Sequence, residues 1–290
     1  VLADAGATGL VPSGGVESHV GVNAGQDLSV GGSVVFRGDS SGPVGSVELT
    51  AKRGDVKVGA GAVVDADAIL RVRTGGFDTQ WNAEDSGNPT YVPVQGGDIV
   101  VDPGSTLASS YATSLYAKSV KIGGEVQSHG FVDVMADESV VVERGAHVKT
   151  DGTEGEVWLE AGTVTQDADG QFHVSGGNLS IGEDAVVASD GQYGSVYVSA
   201  VNGAVDVRGA LIADNEGYVD VTTGFTTKSG VCDPAETPAF RNDGGDVNVH
   251  ASGKIVGQNV SVLSRGGKVS VDGVIVGTGC GVMLSGDGVT

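Results

Sequence analysis

Pairs of aliphatic residues separated by a single polar residue recur along most of the chain. One set begins at Val47 and Leu49, continues nine residues later at Val56 and Val58, and reaches a third apolar position at Val63. Because successive side chains of a β-strand point to opposite faces, each pair predicts a short strand with one buried face. The Gly, Asp and Asn residues between the pairs are typical of turns, so the set predicts three short strands joined by tight turns.

The same three-strand unit repeats at matching spacings, for example from Val196 and again from Val260. One unit cannot bury its own apolar residues, but stacked units would place Val47, Val132, Val196 and Val260 in a single buried column. We therefore expect an all-β fold, a parallel β-solenoid of about ten three-strand rungs. At about 4.8 Å per rung, the rod would be roughly 45 to 50 Å long.

Insertions interrupt three of the units, at about residues 73–97, 164–177 and 222–245. Each insertion falls between the first and second strand of its unit, so we expect all three to emerge from one corner of the coil. The unit around Leu115, Val120, Ile122 and Val126 follows the pattern least closely. Residues 1–290 are expected to form a single solenoid domain.

Composition supports this fold class. The 290 residues include 50 Gly and 51 Val, two residue types that are unfavourable in helices. A collagen-like chain would need Gly at every third position and far more than the 7 Pro present, and a disordered chain would need fewer apolar residues than 39%. A helical bundle and a doubly wound α/β fold are also excluded.

The chain is strongly acidic, with 37 Asp and Glu against 16 Lys and Arg and a formal charge of −21. Such a surface repels phosphate backbones and anionic lipids, so we expect neither nucleic-acid binding nor binding to a membrane surface. Calcium binding or simple solubility would account for the charge. The sequence contains no run of eighteen apolar residues, so it predicts no membrane-spanning helix. The chain starts at Val1 without a signal sequence, as expected of a processed product or an interior segment of a longer protein.

The insertions hold six of the fourteen aromatic residues. These rings either pin the loops against the rod or form a recognition ridge for a glycan or a partner protein, since binding residues concentrate on loops of rigid scaffolds. The candidate ligand-binding residues are Phe77, Trp81, Tyr91, Phe172, Phe225 and Phe240.

Two pairs of aspartates are candidates for a reactive or metal-binding site. Asp65 with Asp67, and Asp167 with Asp169, each place two acidic side chains on one side of a strand, as an acid/base pair or a calcium site would require. Neither pair has a basic partner close in sequence. Solvated acidic residues are the simpler interpretation, so we predict no catalytic residue and no cofactor, with calcium the one candidate metal.

Histidine and cysteine give few further signals. The segment 128–130, Ser-His-Gly, is similar to the His-containing signature of pectin-cleaving solenoid hydrolases, but the accompanying aspartate and basic motifs are missing. The other four His residues fall at different phases of the repeat, which is unsuitable for metal ligation. Cys232 and Cys280 could form one disulfide that ties the third insertion to the rod, remain thiols, or bridge to another chain.

The segments GSVELTA (45–51), GSVYVSA (194–200) and GDVNVHA (245–251) resemble the repeats of filamentous-haemagglutinin-type exoproteins and related autotransporter passengers. The resemblance covers about residues 20–284. It implies a right-handed parallel β-helix, export to the surface of a Gram-negative-type bacterium, and a role in adhesion or as an extended fibre.

Three functions are compatible with these observations. The first is a non-enzymatic structural and adhesive rod segment of a large secreted or cell-surface protein, which presents its loops for glycan or protein binding. The second is a polysaccharide-active β-helix, either a lyase or hydrolase or a phage tail-spike domain. The third is a subunit that associates end to end into an extracellular filament, since an uncapped solenoid presents open strand edges.

Overall fold

A computed structural model describes residues 2–3, 7–9, 19–36, 45–80, 90–166, 171–226 and 241–290. Within these ranges the chain forms strands and turns and no helix. The strands are, in chain order, β1 (Leu2–Ala3), β2 (Ala7–Gly9), β3 (His19–Ala24), β4 (Leu28–Val30), β5 (Ser33–Phe36), β6 (Ser46–Ala51), β7 (Val56–Val58), β8 (Val63–Ala66), β9 (Ile69–Thr74), β10 (Gly76–Gln80), β11 (Thr90–Val94), β12 (Ile99–Val101), β13 (Thr106–Ser109), β14 (Ala112–Ile122), β15 (Glu125–Ser128), β16 (Phe131–Val142), β17 (His147–Thr150), β18 (Glu156–Ala161), β19 (Thr163–Gln166), β20 (Phe172–Ser175), β21 (Leu179–Ile181), β22 (Val186–Ser189), β23 (Ser195–Ala200), β24 (Val205–Val207), β25 (Ala210–Ala213), β26 (Tyr218–Thr223), β27 (Phe225–Thr226), β28 (Arg241–Asn242), β29 (Val247–Val249), β30 (Lys254–Ser264), β31 (Val269–Val271) and β32 (Val274–Ser285).

A single parallel sheet of 26 strands accounts for most of the described chain. Its strands fall into three rows, and the chain passes from the first row to the second, then to the third, before it returns to the first one rung further along. The first row is β3, β6, β9, β14, β16, β18, β23, β26, β30 and β32. The long strands β14, β16, β30 and β32 each turn a corner between rows. The predicted all-β, parallel, solenoid-like architecture is confirmed.

The predicted buried column is present in the first row. Val47 and Val132 belong to one uninterrupted line of register partners that continues through Val196 and Val260. All four side chains are buried. Valine suits this position because its stiff branched side chain packs on its copy in the next rung. Thr113 replaces the aliphatic residue in one rung, so the column is not of one residue type throughout.

The expected inward position of the third row is wrong by one residue in several rungs. Val64 and Leu211 are fully buried, whereas the expected Val63 and Ile212 are only half-buried. Both sites contain two adjacent aliphatic residues, and alternation alone does not show which of them points inward. Pairing with the neighbouring rungs decides it, because Val64 is aligned with the buried Leu107 of β13.

A buried column of hydroxyl groups lies at the end of the third-row strands. The Ser109 hydroxyl lies 3.2 Å from that of Ser128, and Thr150 donates to Ser189 at 3.1 Å. Ser189 in turn donates to the carbonyl oxygen of Gly155 at 2.7 Å. These side chains satisfy one another across rungs, so they occupy the interior without an unpaired hydroxyl.

The three insertions begin as antiparallel hairpins, each placed between a first-row and a second-row strand. They are β10–β11, β19–β20 and β27–β28, called here the first, second and third hairpins. Glycines in direct backbone contact close their bases. At the second hairpin, Gly162 has φ +103° and Gly176 has φ +125°, and a Cβ on Gly176 would lie 1.9 Å from the Gly162 Cα. The first and third hairpins have the equivalent pairs Gly75 with Gly96 and Gly224 with Gly244.

Aspartate side chains connect successive rungs just before the second row. Asp27 accepts a hydrogen bond from the Asp55 backbone N–H at 3.0 Å, and Asp55 accepts one from that of Asp98 at 2.8 Å. Asp246 accepts from Lys268 in the same way at 2.8 Å. The short Asp side chain reaches the backbone of the next rung, which accounts for part of the excess of 25 Asp over 12 Glu.

No helix in the described part of the chain is long and apolar enough to cross a membrane.

Candidate functional site

The outward side of the first row carries an aromatic surface in its middle rungs. Except for Tyr111, which lies just before β14, these side chains alternate along their strands with the buried columns, so they project away from the core. Trp158, for example, is 40% exposed between the fully buried Val157 and the nearly buried Leu159. We call this surface the aromatic face and define it by Tyr111, Tyr116, Phe131, Met135, Trp158, Tyr197 and Tyr218.

The rings of the aromatic face contact one another across rungs. The ring centroids of Trp158 and Tyr197 lie 4.4 Å apart, and those of Tyr197 and Tyr218 lie 6.2 Å apart. At the other end, Tyr111 and Phe131 form an edge-to-face pair with centroids 5.7 Å apart. The rings pack against one another, so they are held in place before any ligand arrives.

A cleft of about 380 Å³ lies on this face between the first and second hairpins. Tyr116 and Met135 line it from the strands, while Gly75, Gly96 and Gly162 line it from the bases of the hairpins. The first hairpin follows β9 and the second follows β18, three strands further along the first row. At about 4.8 Å per strand, the hairpin bases stand about 14 Å apart, wide enough for an extended chain to pass between them.

A partly buried carboxyl group lies among the rings. Asp133 Oδ2 accepts a hydrogen bond from the Tyr116 hydroxyl at 2.5 Å, whereas the buried Asp133 Oδ1 has no hydrogen-bond partner among the described residues. Burial raises the pKa of Asp133, and the Tyr116 hydrogen bond opposes that rise. The pKa of Tyr116 is raised by burial and then by the neighbouring Asp133.

Two further carboxyl groups line the cleft itself, those of Glu160 and Asp137. Burial raises the pKa of Glu160, and the negative charge of Asp133 adds to the rise. Partial withdrawal from water raises the pKa of Asp137, with a second contribution from Glu138. Neither carboxylate forms a hydrogen bond or ion pair with the described residues. Lys118 also lines the cleft, but it pairs with Glu138 at 3.4 Å.

This concentration of carboxyl groups with raised pKa values on one exposed face is typical of a functional site. The aromatic rings provide flat apolar surfaces, and Glu160 and Asp137 provide hydrogen-bond acceptors and negative charge. Within the described ranges, no group of three or more His, Cys, Asp or Glu residues is arranged to hold a metal ion. Apolar rings beside carboxylate acceptors suit an organic ligand that has both apolar and polar faces.

The candidate ligand-binding residues of the insertions are only partly within the described structure. Phe77 lies on β10 opposite Pro93, and Tyr91 lies on β11 opposite Thr79. Phe172 lies on β20 and is half-buried, and Phe225 lies on β27. Trp81 and Phe240 fall outside the described residues. The proposed roles of the insertion aromatics remain predictions.

The acidic pair Asp65 and Asp67 lines a second cleft, of about 430 Å³, on the third row. His129 and Lys149 line the same cleft, so the fold places basic residues that are distant in sequence around the pair, and His129 Nδ1 lies 2.8 Å from Asp151 Oδ1. Ser128 also lines this cleft, although it is buried and its hydroxyl accepts a hydrogen bond from that of Ser109. The second acidic pair, Asp167 and Asp169, and Cys232 of the candidate disulfide lie outside the described residues. Cys280 lies on β32.

The aromatic face was not identified from sequence, although its signal is present. Trp158 and Tyr197 each stand between two aliphatic residues of a predicted first strand, at the position that must point outward. The hydrophobic repeat marks only the inward positions and gives no information about which residues stand on the outward side. That Trp158 and Tyr197 lie side by side became visible only from the alignment of β18 with β23.

Comparisons of the chain with protein-family models, with curated proteins and with solved structures found no match.

Proposed function

We propose that the chain is a rod segment of a secreted or bacterial cell-surface protein, and that it binds glycans on the aromatic face. The rod is a right-handed parallel β-helix of about ten three-strand rungs. The sequence resemblance to exoprotein repeats supports the handedness and the location. The aromatic face supports glycan binding and moves the expected binding surface from the insertion loops to the wall of the rod beside them.

The observation that carries this proposal is the stack of Trp158, Tyr197 and Tyr218 on neighbouring strands. A sugar ring has an apolar face of C–H groups that packs on an aromatic ring, and an edge of hydroxyl groups that needs hydrogen-bond partners. These three rings lie on three neighbouring strands, with centroids 4.4 and 6.2 Å apart, so a sugar chain that runs along the row can contact each of them in turn. Trp and Tyr are also the side chains that most often dominate binding energies at interfaces.

Isothermal titration calorimetry with a panel of neutral, basic and acidic oligosaccharides tests the proposal. We expect wild-type protein to bind at least one member of the panel, and Trp158→Ala to weaken that binding at least tenfold. Ile212→Ala is the matched control, because it removes a half-buried apolar side chain from the outward side of the third row. Its binding should equal that of wild type.

A variant in which a tight turn replaces the second hairpin separates the face from the loops. We expect this variant to retain most of the binding, since the rings belong to the strands. Loss of binding in this variant together with unchanged binding by Trp158→Ala would place the site on the loops. Absence of binding to the whole panel would overturn the proposed function.

Cleavage of the bound glycan is a second candidate function. Asp133 and Glu160 both have raised pKa values, and the charge of Asp133 contributes to the rise at Glu160. A pair of carboxyl groups, one of them with a raised pKa that lets it act as the acid, is the usual requirement for hydrolytic cleavage of a glycosidic bond. New reducing ends or unsaturated products, formed by wild type and absent with Glu160→Gln, would establish this function. Binding without products would leave adhesion as the function.

A further inference from the structure

We propose that the cleft between the first and second hairpins takes a positively charged amino group of the glycan, so that the ligand is an amino-sugar polymer with free amines. This inference rests on the proposed function and names the class of sugar that the site favours.

The cleft between the hairpins is negatively charged. Glu160 and Asp137 line it, and neither is paired with a described cation. Lys118, the one basic residue that lines the cleft, has its ammonium group 3.4 Å from Glu138. The cleft therefore has uncompensated negative charge, on a chain whose formal net charge is −21. A uronic or sialic acid would be repelled there, whereas an ammonium group would be attracted.

Glu160 is partly buried, and an aromatic ring lines the same cleft. Tyr116 and Met135 line the same cleft, and both side chains are more than a third exposed. The partial burial that raises the pKa of Glu160 also weakens solvent screening of an ion pair formed with it. An ammonium group in the cleft would gain an ion pair with Glu160, and an aromatic ring nearby adds cation–π attraction.

The cleft and the aromatic rings lie on the same side of the first-row strands. Glu160, which lines the cleft, and Trp158 both lie on the outward side of β18, and the ring of Trp158 is followed by those of Tyr197 and Tyr218 on β23 and β26. A glycan on these rings can therefore place one sugar unit in the cleft. A protein partner would need an isolated Lys or Arg on a protruding segment, and no feature of the face selects such a segment over a polysaccharide.

The experiment compares two oligomers with the same backbone, glucosamine oligosaccharides and their fully N-acetylated counterparts, at a pH that keeps the amines protonated. We expect the free-amine oligomer to bind wild type about tenfold more tightly, with a difference that shrinks in high salt. The double variant Asp137→Asn/Glu160→Gln should lose this difference and keep its affinity for the acetylated oligomer. Asp272→Asn is the control, since it removes one exposed carboxylate that follows β31, away from the first row, and its binding should equal that of wild type.

The outcomes separate the two proposals. Equal affinity for the two oligomers, or a preference that survives in the double variant, would overturn the amine site and leave glycan binding intact. Tighter binding of the acetylated oligomer would also overturn the amine site and leave glycan binding intact. Binding of a lysine-rich peptide in place of both oligomers would overturn the choice of a glycan as the ligand. Absence of binding to either oligomer or to any other member of the panel would overturn both proposals.

Discussion

The two sides of the first-row strands follow different rules. The inward position aligned with Val47 carries an aliphatic residue in every described rung except that of Thr113. The outward position next to it changes from rung to rung, with Arg71, Asp133 and Trp158 among its residues. Every inward side chain must pack on its copy above and below, whereas an outward side chain meets water on one side. The repeat therefore constrains the interior and leaves the outer surface available for recognition.

The largest effect on the free energy of unfolding is expected for a buried residue of the first row. Leu115→Ala should lower the free energy of unfolding by about 2 to 5 kcal/mol, because it leaves a cavity in a closely packed column. Ser114→Ala, on the outward side of the same strand, should change it by less than about 0.5 kcal/mol. Urea unfolding measures both. Similar losses for the two variants would contradict the division between the two sides.

The second-largest effect on the free energy of unfolding is expected in the buried hydroxyl column. Ser189→Ala should lower the free energy of unfolding by about 1 to 3 kcal/mol, because the Thr150 hydroxyl loses its acceptor and the carbonyl oxygen of Gly155 loses one of its two donors, keeping the Ser195 backbone N–H. Ser189→Thr keeps the hydroxyl and should cost less. A neutral Ser189→Ala substitution would show that the column contributes no net stability.

Asp133→Asn should stabilise the protein at pH 7 by about 1 kcal/mol, since it removes a partly buried negative charge whose Oδ1 has no hydrogen-bond partner among the described residues. The folded-state pKa of Asp133 is raised, so the wild-type carboxyl favours the folded state at low pH and loses that contribution as the pH rises through the raised pKa. The advantage of the variant should therefore be present at neutral pH and disappear in acid. Urea unfolding across this pH range measures it, and a variant less stable than wild type at pH 7 would contradict the prediction.

The smallest effect is expected for a charged pair on the outer surface. The guanidinium group of Arg73 lies 2.6 Å from Glu48 Oε1 on a neighbouring first-row strand. The Arg73 side chain is 53% exposed, so Arg73→Ala should cost about 0.5 kcal/mol or less. The cost should shrink at high salt. A loss as large as that of Leu115→Ala would mean that the outer surface also determines stability.

Much of the fold followed from the sequence alone because the repeat is regular. The buried pairs at Val47 and Leu49 stand nine residues from those at Val56 and Val58, and all four are fully buried. The third row was harder to predict, because adjacent aliphatic residues such as Val63 and Val64 satisfy either register. Of the site, the presence of Trp158 on an outward face was predictable from alternation, but its contact with Tyr197 was not.

The sequence by itself determined that the chain is all-β and repetitive, because Val and Gly at these spacings favour strands and turns and disfavour helix. Only the tertiary structure decided which residues meet on the outer wall. Glu160, Asp137 and Tyr116 are separated by up to 44 positions in the chain, yet they line one cleft because β14, β16 and β18 are hydrogen-bonded neighbours. Local alternation fixes the side of a strand on which a residue lies, whereas its neighbours on that side depend on the register between rungs, a property of the stacked coils as a whole.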